Sequence, residues 1–134
     1  MKSPLWFPIV VAILAMGCSG AEEAPTSPTT LSGEFTFAST VGVGGTASRA
    51  FATTGSGRIT ASLMSVSPSL LLGVGIGIPR ATGTNCDVTR AIETIGGDGR
   101  ELTIAAEAGT YCVKVFDLGQ ITDLAAFSVR VTHP

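Results

Sequence analysis

Three cysteines, one histidine and ten carboxylates are the side chains in this 134-residue chain whose types could do chemistry. Their spacing excludes most of it. His133 stands next to the last residue, so a Ser-His-Asp triad would have to be built on a terminal histidine. The carboxylates pair only loosely, Asp98 with Glu101 and Asp117 with Asp123, and glycoside hydrolysis needs two carboxyls fixed across a cleft. Cys86 and Cys112 do not form C-x-x-C and have no second histidine near them, so neither a redox motif nor a zinc site is expected. They are an even pair, and the expectation is a structural disulfide. It would close a loop of about 25 residues, worth roughly 3 kcal/mol in the chain-entropy account. Asp98 in "GGDGRE" reads as a turn residue. With Glu101 and Asp117 it is also a calcium candidate, because calcium takes carboxylate and backbone oxygens. No other cofactor is indicated, and no enzyme is expected.

Cys18 belongs to a different chemistry. Lys2 precedes an apolar run, Leu5 to Met16, interrupted early by Pro4 and Pro8. The run is short for a transmembrane helix, and small residues follow it at once. "AMGC", Ala15 to Cys18, resembles the bacterial lipobox, with Met16 a less common choice at its place. The resemblance implies a signal peptide over 1–17, thioether attachment of lipid to the Cys18 sulfur, cleavage after Gly17 and acylation of the new amine. Two or more acyl chains make a durable anchor at about 0.8 kcal/mol per buried methylene. The alternatives are an ordinary signal peptide with a chance cysteine, or an uncleaved anchor helix. Ser19, where an aspartate would favour retention in the inner membrane, points to the outer membrane. Residues 18–31, with "SGAEEAPTSPTTL", are small, polar and proline-bearing, and read as a flexible tether.

The folded part is then about 32–134, enough for one core. Without Lys2 the chain has seven basic against ten acidic residues, which argues against nucleic acid as a partner. Period-two alternation dominates. Phe35 and Phe37 share a face. So do Ile59, Ala61, Leu63 and, less cleanly, Ser65; Leu102 and Ile104; Tyr111, Val113 and Val115; and Phe127, Val129 and Val131. Turn signals stand at Gly44-Gly45, Gly55, Ser67-Pro68, 96–99 and Gly109. The expectation is all-β: a single antiparallel β-sandwich, jelly-roll-like, of about 7–8 strands. "TDLAAF" could give one helical turn at most.

"LLGVGIGIP", Leu71 to Pro79, is the unusual strand. No helix pattern or Walker lysine follows its glycines, so it is not a phosphate loop. As a strand it puts Val74, Ile76 and Ile78 on one face and leaves Gly73, Gly75 and Gly77 bare on the other. A bare face lets something come close: the chain's own side chains, or a ligand. Both readings stand at this point, and the three glycines are the candidate ligand face.

The last third, "AGTYCVKVFDLGQITDLAAFSVRVTHP", is similar to the end of bacterial pre-peptidase C-terminal domains. Gly109, Thr110, Tyr111, Val113, Val115, Asp117, Phe127 and Val129 carry the likeness, and "GGTASRAFATTGSGRITASL" extends it to about half of the folded part. "YCVKV" with Cys86 and Cys112 also looks like small acidobacterial-type lipoproteins. The pre-peptidase resemblance implies a jelly-roll-like sandwich with roles in secretion, in substrate or polysaccharide contact, and in calcium-linked stabilisation. The chain departs from that family in having no peptidase attached. Tyr111, just after Gly-Thr, further resembles a tyrosine corner, whose hydroxyl bonds nearby backbone. Alternation then puts Cys112 with Lys114 and Phe116 on the opposite face, so the disulfide is expected outside the core.

The reading that results is a non-catalytic, lipid-anchored envelope or cell-surface sandwich, an interaction or structural module. Its partners would be the membrane, through the lipid, and an envelope protein or polysaccharide. The alternative is a carbohydrate- or peptide-binding accessory domain. With Trp6 lost in the leader, Tyr111 is the remaining amphipathic aromatic, which weighs against a sugar-stacking platform.

Overall fold

The computed structural model describes residues 33–81 and 85–134, and every regular element among them is a strand. The lipobox-like Cys18, the signal peptide and the tether lie outside the described residues. The eight strands are β1 (Gly33–Gly42), β2 (Thr46–Thr53), β3 (Gly57–Ser67), β4 (Leu71–Pro79), β5 (Cys86–Ile95), β6 (Glu101–Ala106), β7 (Gly109–Asp117) and β8 (Leu124–His133). They form two four-stranded antiparallel sheets, in the orders β1-β8-β3-β6 and β2-β7-β4-β5. Consecutive strands pass from sheet to sheet except at β4–β5, and the pattern is that of a jelly roll.

The core is the inward half of each alternation. Ile59, Ala61 and Leu63 of β3 and Phe127, Val129 and Val131 of β8 face Leu72, Val74 and Ile76 of β4 and Val113 and Val115 of β7, all buried. The registers Val74↔Val115, Ile76↔Val113, Leu63↔Val129 and Ala61↔Val131 set the β-branched and leucine side chains directly opposite one another. Burying a side chain of that size is worth about 1.5–3 kcal/mol relative to exposing it.

Four local expectations are corrected. "TDLAAF" has no helical turn; Leu124 opens β8 instead. Ser65 is exposed, because a bulge at Met64 shifts the β3–β8 register and turns Val66 inward opposite Phe127. Gly109 is not a turn but the first residue of β7. Ile78, expected to join Val74 and Ile76, is 56% exposed at the end of β4.

Candidate functional site

The glycine face was the place to look for a ligand, and the structure fills it with the chain's own atoms. Gly73, Gly75 and Gly77 are buried on the outside of the second sheet, facing away from the core. A Cβ on Gly73 would fall inside the Phe116 ring, its register partner on β7. A Cβ on Gly75 would meet the Val88 methyls, and one on Gly77 would coincide with the Asp87 carbonyl. The physical reason is the entry of β5. A register shift between Ile76 and Gly77 leaves Thr89 unpaired and lets the Asp87–Val88 backbone lean over β4. Only glycine gives that backbone room. The candidate ligand groove along Gly73, Gly75 and Gly77 is therefore corrected: those positions are a packing seam.

The disulfide explains why the seam exists. Cys86 and Cys112 are bonded, with Cα atoms 5.8 Å apart, although β5 and β7 are not neighbours and β4 runs between them. Adjacent strands are about 4.8 Å apart, so strands flanking a third are normally about twice that. Gly77, the register partner of Cys112, lies under the Asp87–Val88 backbone that follows Cys86. Both cysteines are buried, at 4% and 2% exposure, on the face opposite the core as the alternation predicts. Phe116, Val88 and the bridge cover the bare strand from above. At the mouth of this loop Arg80 and Asp87 pair at 2.7 Å, and the Arg80 N–H donates to the Asn85 carbonyl at 3.0 Å. Both side chains of that ion pair are exposed, so its net worth is small.

Beside the seam a groove of about 300 Å³ remains, lined by Gly44, Gly45, Thr46, Val88, Lys114, Phe116 and Asp117. Its acid is held by backbone. Asp117 Oδ2 accepts the Gly44 N–H at 2.8 Å, and Oδ1 accepts those of Gly119, Gln120 and Ile121 at 2.9, 3.0 and 3.1 Å. The Gly44 bond is the largest of the causes that hold this carboxyl below the usual range. A carboxylate whose oxygens already accept four N–H groups has little lone-pair capacity left for a cation. Asp98 is held in the same way. Its Oδ1 accepts the Arg100 N–H at 2.9 Å and the Thr94 hydroxyl at 2.8 Å, and its carboxyl too is lowered, first by the Arg100 N–H and then by Thr94. Glu101 accepts the Ser62 hydroxyl at 3.4 Å on β6. Asp98, Glu101 and Asp117 thus have separate local roles, and among the described residues no cluster of three or more His, Cys, Asp or Glu could hold a metal.

The tyrosine corner is present. The Tyr111 hydroxyl donates to the Glu107 carbonyl at 3.0 Å and accepts the Glu107 N–H at 3.1 Å. Beneath it the buried Thr53 hydroxyl donates to the Glu107 carbonyl at 2.9 Å. His133, the lone histidine, lies against aromatic rings rather than in solvent, its ring centroid 5.3 Å from Phe51 and 6.0 Å from Phe35. Sequence reasoning did not see this, because the rings come from β1 and β2 at the far end of the chain.

No family model matches this chain, and no curated protein does. Among solved structures, the crystal structure of the Yersinia pseudotuberculosis-derived mitogen is similar at a TM-score of 0.51 and 11% identity, covering 76% of this chain and 85% of that one. At that identity the likeness is one of fold, and the fold that this chain shares is the two-sheet β-sandwich.

Proposed function

We propose that this chain is a non-catalytic β-sandwich held at the bacterial envelope by lipid on Cys18, acting as an interaction or structural module. The observation that carries the reading is the buried Cys86–Cys112 bridge. Structural disulfides form in oxidising compartments, and this one joins β5 to β7 across β4 as part of the packing. A domain built in that way matures after export, which is what an apolar leader ending in "AMGC" would provide. Ser19 supports the outer membrane as its destination. The experiment is metabolic labelling with palmitate in a bacterial host: the wild type takes up label, and Cys18→Ala does not. Label persisting in that variant would remove the anchor.

An accessory domain binding carbohydrate or peptide is the second reading. The pre-peptidase resemblance favours it, since that family's sandwich is also jelly-roll-like and contacts polymers. Calcium-linked stabilisation, the family's other role, finds little support in the hydrogen bonding of Asp98 and Asp117.

A further inference from the structure

A sandwich has two open flanks, where the edge strands of its sheets face each other. Here β1 and β2 border one, and β5 and β6 the other. The first is plugged. The Phe35 and Phe51 rings lie 5.2 Å apart, His133 stacks beside them, and the Arg49 guanidinium sits 4.7 Å over Phe35. The second holds a groove of about 430 Å³ lined by Arg58, Arg90, Thr103, Ile104 and Ala105. Arg58 comes from β3, Arg90 from β5 of the facing sheet, and the rest from β6.

Two features of this groove call for an occupant. The first is charge. Arg49, Arg80, Arg100 and Arg130 each have a partner. Arg58 and Arg90 make no side-chain hydrogen bond, ion pair or ring contact among the described residues. The second is backbone. β6 pairs with β3 alone, so its outer row of N–H and C=O groups meets no strand. Edges are usually blunted by charge, proline or bulges. The β5 edge has its bulge with Asp87, Arg90 and Glu93, β1 has Glu34, and β2 has Arg49. From Leu102 to Ala106, β6 has none of these, and its pairing with β3 is regular throughout.

We propose that the β6 edge accepts an extended acidic segment of a partner protein, added as a fifth strand to the β1-β8-β3-β6 sheet, with carboxylates of the segment on Arg58 and Arg90. The inference rests on the interaction-module reading and names that partner's chemistry. Strand addition takes its affinity from main-chain hydrogen bonds and its specificity from alternate side chains. Glu101 opens β6 and Glu107 follows it, so they repel acids at the ends of the added strand and set its acidic residues at the centre. No aromatic ring lines the groove, which favours a peptide over a stacked sugar.

The test uses the mature protein in mild detergent and a fluorescent alternating Thr-Glu peptide as long as β6. Saturable binding is expected, weakening as salt rises from about 50 to 300 mM. Arg58→Ala with Arg90→Ala should weaken it about two- to thirtyfold, the range for two exposed ion pairs. The same peptide N-methylated at alternate residues keeps its charge but loses strand pairing, and it should not bind. Equal binding of the N-methylated peptide, or oligogalacturonate binding with the same arginine dependence, would make this a general anion groove and overturn the proposal. Absence of binding by the Thr-Glu peptide would overturn it too, while palmitate labelling at Cys18 tests the anchor separately.

Discussion

The Asp117 carboxylate ties the β1–β2 turn to the β7–β8 loop through four backbone N–H groups, and its charge is what those donors recognise. Its pKa is lowered in the folded state, chiefly by Gly44. The contribution to stability is therefore fully present above the unfolded value of about 3.9 and is lost as pH falls through the lower folded value. Melting temperature should drop as pH falls below about 4, and Asp117→Asn should melt lower at neutral pH with a shallower acid slope. An unchanged slope would mean that the charge is not what the donors hold. The glycines give a graded companion prediction. Gly77→Ala drives a methyl into backbone, whereas Gly73→Ala meets a half-buried Phe116 ring that can swing away. Urea unfolding should show Gly77→Ala costing about 1–3 kcal/mol and Gly73→Ala clearly less. At this scale legibility followed distance along the chain. The tyrosine corner was readable because Glu107 is four residues from Tyr111. The tie from Asp117 to the β1–β2 turn was not, because Gly44 lies 73 residues away.

Strands were legible where apolar residues recur at every second position, as in β1, β7 and β8 and in β3 up to its bulge at Met64. β5 was missed. Its pattern carries Asp87, Arg90 and Glu93, and the unpaired Thr89 breaks the period so that Val88 and Ile92 fall out of phase. The glycines of β4 announced a close approach, but period-two reasoning could not say what approached, because the answer depends on β5 entering over β4. That entry is held by the disulfide. Replacing both cysteines, Cys86→Ala with Cys112→Ala, should lower stability by about 3 kcal/mol in urea unfolding. Hydrogen exchange should localise the loosening to the start of β5, around Asp87 to Thr89, where the bulge leaves few ladder bonds. Uniform loosening across both sheets would show that the bridge acts on the unfolded chain alone. Tyr111→Phe is the milder perturbation: losing the two bonds to Glu107 should cost about 1 kcal/mol.

For the whole molecule, strand direction separates the loops into two ends. Gly33 pairs with His133, Gly57 touches Pro134, and Thr53 and Tyr111 both bond Glu107, so the β2–β3 and β6–β7 connections share the end at which the described chain begins. At the other end are the β1–β2 turn, bonded to Asp117, and the β7–β8 loop, whose Gln120 accepts the Leu71 N–H. That end carries Val43 at 65%, Leu124 at 53% and Ile95 at 44% exposed, while Ile78, at 56%, lies at the opposite end. If lipid on Cys18 holds the protein, residues 19–31 join membrane to sandwich. Were they the flexible tether expected from the sequence, a linker of that length would have a root-mean-square reach of about 20 Å, less than the roughly 33 Å of a ten-residue strand. The two ends should then be distinguishable from the bilayer. With a fluorophore at Thr54→Cys or Val43→Cys in proteoliposomes, a lipid-embedded nitroxide should quench the first more than the second. Stronger quenching at Val43 would place the apolar end in the lipid and overturn this orientation. Quenching that favours Thr54 would leave Val43, Leu124 and Ile95 facing away from the membrane.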